Sequence, residues 1–189
     1  LMMITWNRGR TLVAQRYRMR FASREDALEC VHANLAARVP GVAVFMASNP
    51  DALPPPLVRH VERSKALHET VILLTVVTAG QPWIQDEARY TVAPASDGFH
   101  RLVIRFGFME EPLVMPVLER AVAEAGIPWD PVHATFYLGR ENFLATSRGR
   151  MGALSETFFA FLHRNALTMD RFFGLPPRQV VELGAQMDL

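Results

Sequence analysis

The chain has one cysteine, one lysine and no long apolar run, and each scarcity removes a class of protein. Cys30 alone cannot form an internal disulfide, and no Cys/His cluster has zinc-ligand spacing, which suits a reducing compartment. A buried, inert thiol is the expected state of Cys30. Lys65 is the sole candidate for a Schiff-base or phosphate-anchoring lysine, and it falls at a polar helix end where solvation is its expected role. The longest candidate for a spanning segment, Val71 to Val77, is far short of the roughly 18 residues a membrane-spanning helix requires. Gly-x-Ser-x-Gly, a phosphate loop ending in Gly-Lys-Ser/Thr, and Gly-x-Gly-x-x-Gly after a strand are all missing. The six histidines, His32, His60, His68, His100, His133 and His163, never recur at the spacing that places two imidazoles on one helix face. The expectation is a protein that is not an enzyme and carries no cofactor and no metal.

What is present describes a globular domain. Half of the 189 residues are hydrophobic and 21% are charged, so the chain can bury a core, and its length fits one domain. Net charge is +1, which gives no reason to expect nucleic acid as a partner. The charge is unevenly placed, however. Arg8, Arg10, Arg16, Arg18, Arg20 and Arg24 stand among the first 24 residues without an acid, while all 19 acids lie in residues 25–189. With Leu1-Met2-Met3-Ile4 and Trp6 ahead of it, this basic block is expected to lie against anionic lipid through Arg8, Arg10, Arg16 and Arg18. The apolar residues precede the basic ones, which is not a signal-peptide order, and the chain is expected to be a soluble piece of something longer.

Periodicity divides the rest. Ser23-Arg24-Glu25-Asp26 offers a cap for a helix over Ala27 to Ala37. Gly41 opens the apolar run Val42 to Ala47, read as a buried strand that ends in the turn cluster Ser48-Asn49-Pro50-Asp51. Pro54-Pro55-Pro56 starts a helix with Leu57, Val58, Val61 and Leu67 on one face, and Thr70 to Thr78 is a second buried strand. Strand, helix, strand is a βαβ unit, whose strands are parallel with a right-handed crossover. Ala88 to Pro94 and Phe99 to Phe108 flank Asp97-Gly98 and form an antiparallel hairpin. A helix over Pro116 to Ala125 follows, with Glu110 and Glu111 read as acids near its positive end, and Gly126 ends it. A strand over Ala134 to Leu138, a Gly/Arg-rich loop, a helix over Met151 to Thr168 with a Leu154, Phe158, Phe161, Leu162 stripe, and a final strand over Gln179 to Met187 complete the pattern. The fold class expected is α/β: a mixed, largely parallel sheet with helices on both faces, one βαβ unit and one antiparallel hairpin.

In such sheets ligands bind beyond the carboxyl ends of the strands. Ser48 and Asn49 follow one strand, and Gly139 and Arg140 are read as following another, so these four are the candidate ligand-binding residues; no catalytic or metal site is expected. Arg140 admits two roles, a bidentate anion contact or an ion pair with Glu141 or an acidic loop.

Several blocks, taken in order, closely resemble the C-terminal region of the Kup family of bacterial potassium uptake transporters. They are Thr5-Trp6-Asn7-Arg8-Gly9-Arg10, Pro40 to Phe45, Pro54 to Leu57, Leu67-His68-Glu69, Arg105-Phe106-Gly107-Phe108-Met109-Glu110-Glu111-Pro112, Thr135 to Glu141, Arg164-Asn165-Ala166 and Pro176 to Gln186. Leu113-Val114-Met115-Pro116 and Ala145-Thr146 depart from the family's pattern. The resemblance implies that residues 1–22 are a juxtamembrane basic segment following the last transmembrane helix and residues 23–189 a cytoplasmic α/β domain. The parent would be a K+:H+ symporter of the cell inner membrane, with the transport path outside this chain. The domain's expected partners are the transmembrane part of the same transporter and a second copy in a homodimer. Its expected role is regulation and dimerisation; the alternative is sensing of a small nucleotide, cyclic di-AMP or an adenine nucleotide, that controls transport.

Overall fold

The computed structural model describes residues 24–94, 98–144 and 169–188. Helix α1, Arg24–Asn34, stops three residues short of the expected Ala37. The reason is local: the amides of Ala36 and Ala37 both donate to the Lys65 carbonyl, at 2.8 and 3.2 Å, which pulls the chain into a strand. Strand β1, Ala37–Ala47, therefore begins ahead of Gly41, and Pro40 and Gly41 fall within a register shift between Val39 and Val42. Proline has no N–H for a ladder and Gly41 sits at φ +118°, so both suit an irregularity better than a strand start.

Helix α2, Pro55–Ser64, buries Pro56, Leu57, Val58 and Val61. It closes at Lys65, which takes the left-handed conformation at φ 56° and donates its amide to the Val61 carbonyl at 2.9 Å. Lys65 is exposed, with its ammonium on the Asn34 side-chain oxygen. Because the helix ends there, Leu67 belongs not to its apolar face but to strand β2, Ala66–Ala79. Strands β3, Tyr90–Pro94, and β4, Phe99–Gly107, form the antiparallel hairpin expected, with Tyr90 opposite Ile104. Helix α3, Val114–Glu124, ends as Gly126 turns at φ 64° and Ile127 donates back to the Val122 carbonyl at 2.9 Å. Strand β5 runs Thr135–Leu144 rather than ending at Leu138. Gly139 and Arg140 thus lie inside the strand, because strand β6, Val180–Asp188, pairs with it from Phe136 opposite Val180 to Leu144 opposite Asp188. A four-residue helix α4, Met169–Phe172, precedes β6.

Together these make the mixed α/β sheet read from the sequence: six strands in the order β3-β4-β2-β1-β5-β6, all pairs parallel except β3 with β4. Alternate residues of β1 and β2 enter opposite cores. Ala43, Phe45, Val71 and Leu73 pack with Ala27, Val31, Leu57, Val58 and Val61 from α1 and α2. Val44, Ile72 and Leu74 pack with Val114, Leu118, Ala121 and Val122 from α3. Both faces are covered, and this is why the strands read as unbroken apolar runs. The expected helix over 151–168, the Ala95-Ser96-Asp97 turn and the basic segment 1–22 lie outside the described residues.

Phe45 has no exposed surface and its ring stacks on Tyr137 at 4.5 Å, so it ties the βαβ unit to β5. Phe45→Ala is expected to cost about 3–5 kcal/mol, the usual cost of emptying a buried aromatic site. Urea unfolding of the variant against the parent chain measures it.

Candidate functional site

Taking the five parallel strands in chain order, the sheet grows from β1 outward to β2 and β4, then resumes on the other side of β1 with β5 and β6. Right-handed crossovers running in opposite directions must use opposite faces, as α2 and α3 do. The order reverses between β1 and β5, and such a switch point leaves a crevice outside the carboxyl ends of the two strands. The ladder here is short: Ala43, Val44 and Phe45 face Thr135, Phe136 and Tyr137, and β5 then continues to Leu144 against β6 alone.

Ser48 and Asn49 occupy the exposed bend at the end of β1, and Gly139 lies exposed on β5 beyond the last β1 contact. Arg140 follows it, in register with Gly184 of β6. The four sequence candidates therefore flank the switch point, although two of them come from mid-strand. Asn49 is partly committed, since its side-chain oxygen accepts the Asp51 amide at 3.0 Å. Gly139 is glycine for a packing reason: a Cβ there would stand 2.9 Å from Cγ of Pro56 in the first turn of α2.

That first turn also limits the chemistry. A helix starting beside a switch point ordinarily offers free N–H groups to an anion. Here Pro55 and Pro56 have none, and Leu57 donates to the Pro54 carbonyl at 2.9 Å. Positive charge comes instead from side chains that the sequence did not single out. Arg59 of α2 reaches the Gly184 carbonyl at 3.1 Å, and Arg101 of β4 stands 4.0 Å from Asp51 with its Nε buried and unpartnered. No short motif marks either arginine; only strand order and helix face bring them to this end of the sheet.

Beneath α2, His60 and His68 flank Tyr137, with ring centroids 4.7 and 6.2 Å from it. Both imidazoles are held below their ordinary pKa by burial, His60 further by the neighbouring His68, and Nδ1 of His68 is buried without a partner. The Arg38 guanidinium donates to the His68 carbonyl at 2.8 Å.

A second cluster sits at the other side of the sheet. The Arg89 guanidinium donates to both oxygens of Glu110, at 2.7 and 2.8 Å, and to the Ile84 carbonyl at 2.7 Å. Glu110 also accepts the amides of Gly107 and Ile84, and these contacts, Arg89 first, hold its carboxyl at about 2. Glu110 lies just ahead of α3, which starts at Val114 rather than at Pro116 and has no acid in its first turn, and its carboxylate clamps the loop after β2 to the end of β4. Gly107 belongs to the same clamp, since a Cβ there would meet the Pro82 carbonyl oxygen at 2.1 Å. A 330 Å³ groove beside it includes Asp86, Arg89, Phe106, Glu110, Leu113 and Arg120. Its cations are already matched, Arg89 to Glu110 and Arg120 to Asp86 at 3.5 Å, so a ligand would have to displace an ion pair. Cys30 is half-buried rather than buried, with Sγ 3.8 Å from Glu62. Among the described residues no His, Cys, Asp and Glu group is arranged to hold a metal, and no helix is long and apolar enough to cross a membrane.

Fold and crevice together define a doubly wound α/β domain. Residues 40–189 match the K+ potassium transporter C-terminal domain, and the chain belongs to that family. It is 42% identical over 188 residues to "Probable potassium transport system protein Kup 1" of Geobacter sulfurreducens, a match covering 99% of this chain and 30% of that protein. It is 38% identical over 188 residues to "Probable potassium transport system protein Kup" of Myxococcus xanthus, covering 100% and 29%. Against the protein of the same name from Acidiphilium cryptum it is 37% identical over 185 residues, covering 98% and 29%. The chain thus spans less than a third of the length of these curated relatives. No solved structure matches it.

The histidine pair gives a pH dependence. With folded pKa values below the unfolded 6.5, the fold prefers neutral rings. Stability is fully present above pH 6.5 and falls as the pH drops below it, because the unfolded chain then binds more protons. His100, also lowered by burial, adds to the trend, whereas Glu110 contributes only below its ordinary 4.5. Urea midpoints measured down to pH 5.5 should decline less steeply in the His60→Gln, His68→Gln double variant than in the parent. Parallel curves would show that the pair carries no such linkage.

Proposed function

We propose that this chain is the cytoplasmic domain of an inner-membrane potassium uptake transporter, a K+:H+ symporter whose transport path lies in its transmembrane part. In this reading the domain is a regulatory and dimerisation module, not an enzyme. The observation that carries it is the match to a transporter family's C-terminal domain over most of a chain that covers under a third of its relatives. Residues 1–22 are then the basic segment that follows the last transmembrane helix, with Arg8, Arg10, Arg16 and Arg18 toward anionic lipid. Residues 23–189 form the α/β domain, and the transmembrane part is its partner. A two-fold pair is the commonest assembly, and dimeric mass by light scattering at high concentration is the expected result. A strictly monomeric mass would remove the dimerisation role.

A second reading is favoured by the strand order: a small nucleotide, cyclic di-AMP or an adenine nucleotide, seated in the crevice between β1 and β5 and controlling transport. Ser48, Asn49, Gly139 and Arg140 are its contact residues, and the guanidinium makes the bidentate phosphate contact that the proline-filled start of α2 does not supply. Calorimetry against these nucleotides tests it. Arg140→Ala is expected to weaken binding by about 1.5–3 kcal/mol with an unchanged melting temperature. Unchanged affinity with reduced stability would make Arg140 an ion-pair residue and end its ligand role.

A further inference from the structure

We infer that the carboxyl end of the sheet docks on the membrane part of the same transporter, through Trp83, Phe108 and Met109. This rests on the reading of the chain as a transporter's cytoplasmic domain and assigns that partner a surface. Clustered exposed apolar residues, aromatics and methionine above all, mark protein contacts. Trp83 is 63% exposed, Phe108 59% and Met109 62%. They come from the loop after β2 and the turn after β4, which two hydrogen bonds join: the Phe108 amide donates to the Gln81 carbonyl at 3.0 Å and the Met109 amide to that of Pro82 at 3.2 Å. Their backbone is firmly held. Gly107 admits the Pro82 carbonyl, and Glu110 accepts the Gly107 and Ile84 amides together with the Arg89 guanidinium. The block Arg105 to Pro112 thus uses its glycine and its first acid to fix the place from which two large apolar side chains meet solvent.

Chain direction and charge select the partner. Helix α1 packs Ala27 and Val31 on the sheet and reaches β1 through two residues, so it runs back along that strand. Asn34 at its end meets Lys65 where β1 and β2 begin, which puts Arg24 toward the carboxyl ends of the strands, the end that carries Trp83, Phe108 and Met109. The family match is to a C-terminal domain and covers under a third of the relatives, so in the parent transporter the membrane part precedes residue 1 and joins the domain from this end. Charge favours protein over lipid there. Arg89 is matched by Glu110 and Arg120 by Asp86, which leaves Glu87 and Glu111 as exposed acids in the same two loops. An anionic membrane surface repels them, whereas the cytoplasmic loops of membrane proteins carry an excess of lysine and arginine.

Photo-crosslinking in the full-length transporter, held in its membrane, tests the surface. A benzophenone side chain in place of Phe108 or of Met109 is expected to crosslink to a cytoplasmic loop of the membrane part, identified by mass spectrometry. One in place of Val132, 68% exposed ahead of β5 at the opposite end of the sheet, is expected to give no such product. Trp83→Ser is expected to lower the Phe108 yield at least about tenfold, as loss of an aromatic anchor does. Should that variant fail to fold, Glu87→Lys with Glu111→Lys, both on the surface, is expected to lower the yield by setting like charges against the basic loops. Crosslinks only to lipid, to residues 40–189 of a second copy, or to residues 1–23 or 145–168 of the same chain would each overturn the docking. No crosslink from either position, or an equal yield from Val132, would do the same. Dimerisation is read from mass and not from these crosslinks, so the two readings fail separately.

Discussion

Strand β1 has a neighbour on each edge and a core on each face, and the rest of the domain follows from satisfying it. Its amides and carbonyls must pair on both sides, because buried backbone groups left unpaired cost more than most side-chain contacts return. The chain supplies one partner directly, through α2 to β2, and the other only after β4 and α3 have been laid on the opposite face. Filling the second edge of β1 is therefore what reverses the strand order. The reversal in turn opens the crevice, so the candidate site is a by-product of completing the central strand rather than a separate construction.

The same logic explains what the motif around Gly107 does for the fold. Arg105-Phe106-Gly107-Phe108-Met109-Glu110 looks like a signature with an acid at its end, yet its atoms are consumed by architecture. Gly107 admits the Pro82 carbonyl, and Glu110 accepts two amides and a bidentate arginine. A carboxylate so fully bonded is a poor acid or base, since each bond to its charged form lowers the pKa further from neutrality. Its effect is to fix the end of β4, and with it the point from which α3 crosses to β5.

The sequence made the fold class legible because period and burial agree. Runs such as Val71 to Val77 are short and rich in β-branched residues, which favours strands covered on both faces, and Asp97-Gly98 between two β-rich segments signals a hairpin. Boundaries were less legible where a distant partner decides them. Nothing local says that Lys65 will end α2 in a left-handed conformation or that its carbonyl will claim two amides from the start of β1. Gly139-Arg140 read as a loop because glycine weakens strands, but β6 arrives 40 residues later to carry β5 through it. The site was half legible for the same reason. Ser48 and Asn49 follow a recognisable strand end, whereas Arg59 and Arg101 reach that end of the sheet only through topology.

Among the described residues, the crevice and the outermost strand β6 are one strand apart. Arg140 is paired with Gly184, and Leu183 with Gly139, so two of the residues read as ligand contacts share a ladder with β6. Arg59 extends the connection from α2, whose first turn rests on Gly139 and whose guanidinium holds the Gly184 carbonyl. A ligand that drew Arg59 or Arg140 toward the crevice would change the hydrogen bonding available along β6. Such a ligand couples to dimerisation only to the extent that it binds paired and unpaired states differently, and the coupling is reciprocal. Any change a ligand made in self-association would then be matched by an equal change that self-association made in ligand affinity.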